Sequence, residues 1–322
     1  MKKLSLILVL LLFFQLLHLP SFSQRLIEVS YQKDMQGNYN FTCINRAFCN
    51  YIVDIGFTKL ENAAADHPLP NQAFEAVVHP GNNKLFRLTK TNPKEDIVFN
   101  YKTGYLKGCL DPKVNTGFIY LLPITPGKEA QAYEIKNATR TATGDYGPDS
   151  TYAIRLRSHP GDTIYAARRG TVTEVDVSSA GNDAGAAGNY IEIVHADCSF
   201  GRYGILKNNG AFVQPGQTVE AGQPIGLVGG DQYGRGSDVR FSVVYNQPKD
   251  DLQTAGDNSS GPGHWVYVPL QFWTKFNGKG MLRHGATYTS EFPKAILTQE
   301  IGKPSGKPVP KKGARPTHAA QG

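Results

Sequence analysis

Between residues 213 and 226, valine or isoleucine alternates with glycine at three-residue steps: Val213, Gly216, Val219, Gly222, Ile225, followed by Gly226. This stretch constrains the fold more than any other in the chain of 322 residues. Apolar residues that recur so tightly suit the inside of short hairpins, and glycine supplies turn angles that other residues resist. A second stretch, SDVRFSVVY at 237–245, alternates strictly. Val239, Phe241, Val243 and Tyr245 fall on one face of a strand, and Asp238, Arg240 and Ser242 on the other.

The rest of the chain is punctuated in the same way. Residues 24–135 contain short runs rich in β-branched and aromatic residues, among them RLIEVSYQ, YIVDIGF and KLFRLTK, separated by turn chemistry such as KDMQGN and HPGNN. That spacing predicts an antiparallel β-sandwich of immunoglobulin type. Residues 136–150 are polar and turn-rich, a linker. Residues 151–285 read as a second β-rich unit, and residues 286–322 as an extension that becomes a disordered tail from about 302. The predicted class is all-β, with no catalytic cluster in the first unit. His67 and His79 lie beside prolines in loops and His264 in a Gly-Pro-Gly loop, all expected at the surface.

Residues 1–23 have the form of an export signal: Lys2 and Lys3, an apolar run from Leu4 to Leu17, then small residues at Ser21 and Ser23. The run is short of the roughly 20 residues a membrane span needs, and no later stretch is apolar enough. No cysteine lies near the cleavage point for lipid attachment. The mature protein is expected in a periplasm or outside the cell, without a transmembrane anchor. The formal net charge of +7 comes entirely from Lys2, Lys3 and the five cations of the tail, Lys303, Lys307, Lys311, Lys312 and Arg315. The body between is formally neutral, which argues against a nucleic-acid partner. In an oxidising compartment the four cysteines are disulfide candidates. Cys43, Cys49 and Cys109 fall in the first unit, favouring one bridge there and leaving Cys198 as a buried thiol, although four cysteines allow three full pairings.

The ordered phrases YAARRGTV, GNYIEIVHA, YGILKNNGAFVQPGQTVEAGQPIGLVG and RFSVVY resemble the LytM/lysostaphin-type zinc metallopeptidase domain, also called the duplicated hybrid motif. The resemblance covers residues 148–275. The first unit is similar, more loosely, to the sandwich that precedes such domains in some envelope proteins. The glycine phrase alone also occurs in biotinyl and lipoyl carriers. Those need a lysine at a hairpin tip, and no lysine lies between Asn209 and Arg240.

The resemblance implies an enzyme that cuts cross-linking peptides of peptidoglycan with one zinc ion. Its ligands would be the His and Asp of an H-x-x-x-D segment and the second His of an H-x-H segment. The first His of H-x-H and the His of a Y-x-H-L-like segment would handle protons. Carried over from Tyr165-Ala166-Ala167, where the family has its own Y-A-A, the ligand positions fall on Thr151, Arg155 and Arg240, and the catalytic histidine positions on Ile205 and Asp238. All five are substituted. The remaining pairs, His159 with Asp162 and His195 with Asp197, each supply two donors where a catalytic zinc site wants three.

The expectation is therefore a non-catalytic homologue that holds no zinc. Its groove of Thr151, Arg155, Asp238 and Arg240 would take an anion or peptide, the partner being a peptidoglycan peptide or a cell-wall amidase. An Arg–Asp pair that only fills the space is the plain structural alternative. An active zinc endopeptidase and a purely structural envelope protein are the two functional alternatives. The disulfide pairing and oligomeric state stay open.

Overall fold

The computed structural model describes residues 25–136, 152–178, 188–230, 237–248 and 263–300. The export segment, most of the linker, the small-residue loop at 179–187 and the basic tail lie outside the described residues. No described helix is long and apolar enough to cross a membrane.

The first unit is built from β1 (Ile27–Lys33), β2 (Tyr39–Asn45), β3 (Tyr51–Glu61), β4 (Ala63–Ala65), β5 (Ala73–Val78), β6 (Gly81–Lys90) and β7 (Val98–Lys107). They form two sheets, β1-β2-β6-β4 and β5-β3-β7. The alternation in YIVDIGF turns Val53, Ile55 and Phe57 toward a core shared with Phe41, Phe74, Phe86 and Leu88. Phe41 and Phe86 stack at 4.5 Å across it. This is the expected sandwich.

The second unit comprises β8 (Ile119–Leu121), β9 (Glu129–Lys136), β10 (Tyr152–Arg157), β11 (Thr163–Tyr165), β12 (Gly170–Asp176), β13 (Tyr190–Val194), β14 (Phe200–Gly204), β15 (Leu206–Ala211), β16 (Thr218–Val219), β17 (Pro224–Val228), β18 (Asp238–Pro248), β19 (Gly263–Tyr267), β20 (Gln271–Thr274), β21 (Gly278–Gly280), β22 (Thr287–Thr289) and the single-turn helix α1 (Lys294–Leu297). Its main sheet runs β16-β12-β13-β14-β18-β10-β9-β22, with β19 on β18. Two three-stranded sheets, β11-β17-β15 and β21-β20-β8, accompany it. One continuous core takes Leu122 and Ile124 as well as Ile154, Ile191, Phe241, Leu270 and Tyr288.

The unit boundaries therefore differ from the expected ones. β8 and β9 precede the linker, yet they pair with β20 and β10. β22, in the expected extension, pairs with β9. Short strand runs look alike in either unit, and only the long-range partners allocate them. His264 likewise lies in strand β19 rather than in a loop.

Gly222 shows why the spaced phrase needs glycine. Its φ is +78°, and a Cβ there would sit 2.8 Å from Leu297 Cδ2. The C-terminal segment lies across this turn, with Phe292 edge-on to Tyr165 at 5.4 Å.

The cysteine expectation is overturned. Cys109 bonds Cys198 across the two units, with Cα atoms 6.1 Å apart, and Cys43 and Cys49 are free and buried. Position in sequence placed Cys109 with its first-unit neighbours. The fold swings the chain after β7 onto the second unit. The bridge closes a loop with a sequence separation of 89. Replacing Cys109 and Cys198 by serine should lower the unfolding free energy by roughly 2–5 kcal/mol, read as a drop in urea midpoint. A reductant should shift the native protein similarly and leave the double variant where it is.

Candidate functional site

β10 and β18 run antiparallel with Ile154 opposite Phe241, Arg155 opposite Arg240, Leu156 opposite Val239, and Arg157 opposite Asp238. Because side chains alternate, Ile154, Leu156, Val239 and Phe241 all enter the core and are fully buried. Arg155, Arg157, Asp238 and Arg240 consequently share the other face. On the far side of β18, Arg240 lies opposite Gly204 of β14. That glycine has no side chain to stand beside the arginine. Ile205 follows directly, 8% exposed, with φ at +68°. A β-branched residue pays a steric penalty in that conformation. The Gly229 N–H donates to the Ile205 carbonyl at 2.8 Å and helps hold it.

Four of the five expected positions therefore converge: Arg155, Asp238 and Arg240 as neighbours on two paired strands, and Ile205 beside them. Thr151 lies outside the described residues. Arg155 Nε forms an ion pair with Asp238 Oδ2 at 3.0 Å, and a third of the Arg155 side chain remains exposed. The other carboxylate oxygen, Asp238 Oδ1, is buried without a hydrogen-bond partner among the described residues. Burial pushes the Asp238 carboxyl above its ordinary range, although Arg155, Arg240 and Arg157 pull it down.

Tyr133 was not anticipated here. It sits on β9 opposite Arg155, with the Arg155 and Arg157 guanidiniums 5.2 and 5.6 Å from its ring centre. His284 meets the same ring edge-on at 5.3 Å. The two-residue spacing of Arg155 and Arg157 in YAIRLR puts both on one face. No signal in the sequence located Tyr133, because its strand reads as part of the first unit.

The same sheet face continues across β14 and β13 into a buried charge cluster. Glu192, fully buried, receives a 2.7 Å bond from Arg202 Nε. It is also bonded by Lys107 of the first unit and by the Thr173 hydroxyl, the latter at 2.8 Å. Burial raises the Glu192 pKa, but Arg202 and Lys107 more than offset it and hold the carboxyl below its ordinary range. Nearby, Phe200 and Val244 pack with Ala47 and Cys49 of the first unit. The sandwich thus meets this half of the face, next to the half that carries Arg155 and Arg240.

The two fallback pairs do not form a site. His195 is buried, and its Nδ1–H donates to the Arg169 carbonyl at 2.7 Å. Asp197 turns instead to Arg168 at 2.9 Å and to the Ser199 hydroxyl at 2.7 Å. Arg168 in turn grips Glu300 and lies 4.0 Å from the Phe118 ring centre. His159 is 89% exposed on its turn, 3.7 Å from Asp162. Among the described residues no group of three His, Cys, Asp or Glu is placed to share a metal ion.

Burial, with the Arg168 charge, lowers the His195 pKa to about 3. The folded state therefore resists protonation that the unfolded chain accepts below its pKa of about 6.5. Stability should fall as pH drops from about 6.5 toward 3. In a His195→Gln variant that part of the slope in denaturant midpoint against pH should flatten.

Residues 149–251 match the profile of Peptidase family M23. Similar solved structures include the catalytic domain of the antimicrobial peptidase lysostaphin from Staphylococcus simulans, at 21% identity over 39% of this chain and 80% of that one, TM-score 0.25. Others are the catalytic domain of the prophage-encoded M23 protein EnpA from Enterococcus faecalis, at 21% identity over 48% and 92%, TM-score 0.26, and a zinc-containing peptidase from Vibrio cholerae, at 16% identity over 68% and 75%, TM-score 0.30. No curated protein sequence matches the chain.

Proposed function

Residues 149–251 are a Peptidase family M23 domain, and on that basis we propose that the protein is an exported envelope protein whose M23-type groove binds cell-wall peptide without cutting it. The observation that carries this reading is the Arg155–Asp238–Arg240 constellation. The M23 match raises the question of a catalytic zinc ion. The donor set here does not fit that metal. A catalytic zinc site takes three protein ligands of imidazole, thiolate or carboxylate type and keeps a fourth position for water. Guanidinium offers no free lone pair at neutral pH, and isoleucine offers none at all. Among the described ligand positions Asp238 alone is a suitable donor, and it is already ion-paired with Arg155.

What the groove suits is a carboxylate. Arg155 and Arg240 share this face with one aspartate, Asp238, and Arg155 keeps a third of its side chain exposed beside it. The fork of a guanidinium matches a carboxylate with two parallel bonds. Stem peptides of peptidoglycan carry such groups. Tyr133, stacked on Arg155 and Arg157, limits the rotamers of both and lowers the entropy cost of binding. A cell-wall amidase is the macromolecular alternative for the same groove, engaged through an acidic segment. The basic and apolar start of the chain supports export.

The test is binding of purified peptidoglycan and of a soluble stem peptide. Arg155→Ala/Arg240→Ala should weaken binding at least tenfold, since each lost charged hydrogen bond is worth about 1.5–3 kcal/mol. Asp238→Asn should strengthen it by freeing Arg155. Retained affinity in the double variant would sink the reading. In parallel, elemental analysis should find no stoichiometric zinc, and a chelator should leave Tm unchanged. Zinc whose removal abolishes wall digestion would restore the endopeptidase.

A further inference from the structure

Outside the groove, one surface combines features that neither the fold nor the M23 domain requires. The β20–β21 hairpin projects Phe276, 76% exposed, and is followed by Met281, 53% exposed. Lys275, Lys279 and Arg283 surround them, and residues 271–288 contain no acidic residue. Lys279 and Arg283 line a cavity of about 330 Å³ at the base of the hairpin, together with Asn277, Thr287 and Tyr288. The Tyr288 hydroxyl accepts from the Arg283 backbone N–H at 2.9 Å, fixing that side of the cavity. No carboxylate among the described residues pairs with either cation.

The geometry points to a docking site for an anionic phospholipid surface. The cavity would receive a headgroup phosphate between Lys279 and Arg283, and Phe276 and Met281 would enter the acyl boundary. Charge complementarity selects an anionic partner. The two apolar side chains select a bilayer over a soluble polyanion, because only a bilayer has an apolar phase for them to enter. Each cation near an anionic membrane surface is worth about 1 kcal/mol, roughly fivefold in partition. The patch adjoins the groove: His284, next to Arg283, packs on Tyr133 and so on Arg155. Docking would hold the groove beside the membrane.

A reporter at the hairpin tip keeps other parts of the chain out of the readout. A Phe276→Cys variant of the whole protein carries an environment-sensitive fluorophore, Cys43 and Cys49 being buried against labelling. Vesicles of phosphatidylcholine mixed with phosphatidylglycerol should blue-shift the emission, and phosphatidylcholine alone or soluble polyglutamate should not. Adding Lys279→Gln/Arg283→Gln should raise the lipid concentration for half-shift about 25-fold. The same label at Met35→Cys, a fully exposed site on the first unit, should stay unshifted. These cation sites are exposed, and an unchanged Tm checks that the variants fold. Absence of a shift, an equal shift with phosphatidylcholine alone, an equal shift with polyglutamate, or no response to the charge substitutions would each overturn the site.

Discussion

The register between β10 and β18 is the constraint on which the second unit rests. With Leu156 opposite Val239, Ile154, Leu156, Val239 and Phe241 enter the core and Arg155, Arg157, Asp238 and Arg240 join the opposite face. A slip of β18 by one residue against β10 would turn Asp238 and Arg240 toward the core and Val239 and Phe241 out of it. The core therefore enforces the groove. Its charged residues need contribute little to stability of their own, because the strands that carry them are held from behind.

The other half of the same sheet face is secured differently. Glu192 is too deeply buried to be tolerated alone, and its partners come from two places, Arg202 of the same unit and Lys107 of the sandwich. Pairing a buried carboxylate this way adds little net energy relative to an apolar filling, but it penalises separation, since parting the units would strand the charge. The Cys109–Cys198 bridge lies in the same region of contact and ties the same two units covalently. Together they suit a sandwich that acts as a fixed flank beside the groove.

The face that carries Arg155, Asp238 and Arg240 is set apart by its charge. The strand pairing brings Arg155, Asp238 and Arg240 together on one face. Arg155, Arg157 and Arg240 lie around one carboxylate, Asp238, whose Oδ1 has no hydrogen-bond partner among the described residues. On the proposed reading, that arrangement favours a negatively charged guest.

Local pattern alone determined a good deal of this molecule: the all-β class, the face that each residue of YAIRLR and DVRFSVVY presents, and the turn glycines. These follow from the two-residue period of a strand and from steric limits on φ, both properties of short segments. Tertiary structure alone decided the allocation of β8, β9 and β22, the Cys109–Cys198 pairing, the Lys107–Glu192 contact and the place of Tyr133. The physical reason is common to all four. Edge pairing, disulfide choice and buried ion pairs depend on distance in space between segments remote in the chain, and no period in the sequence encodes that distance.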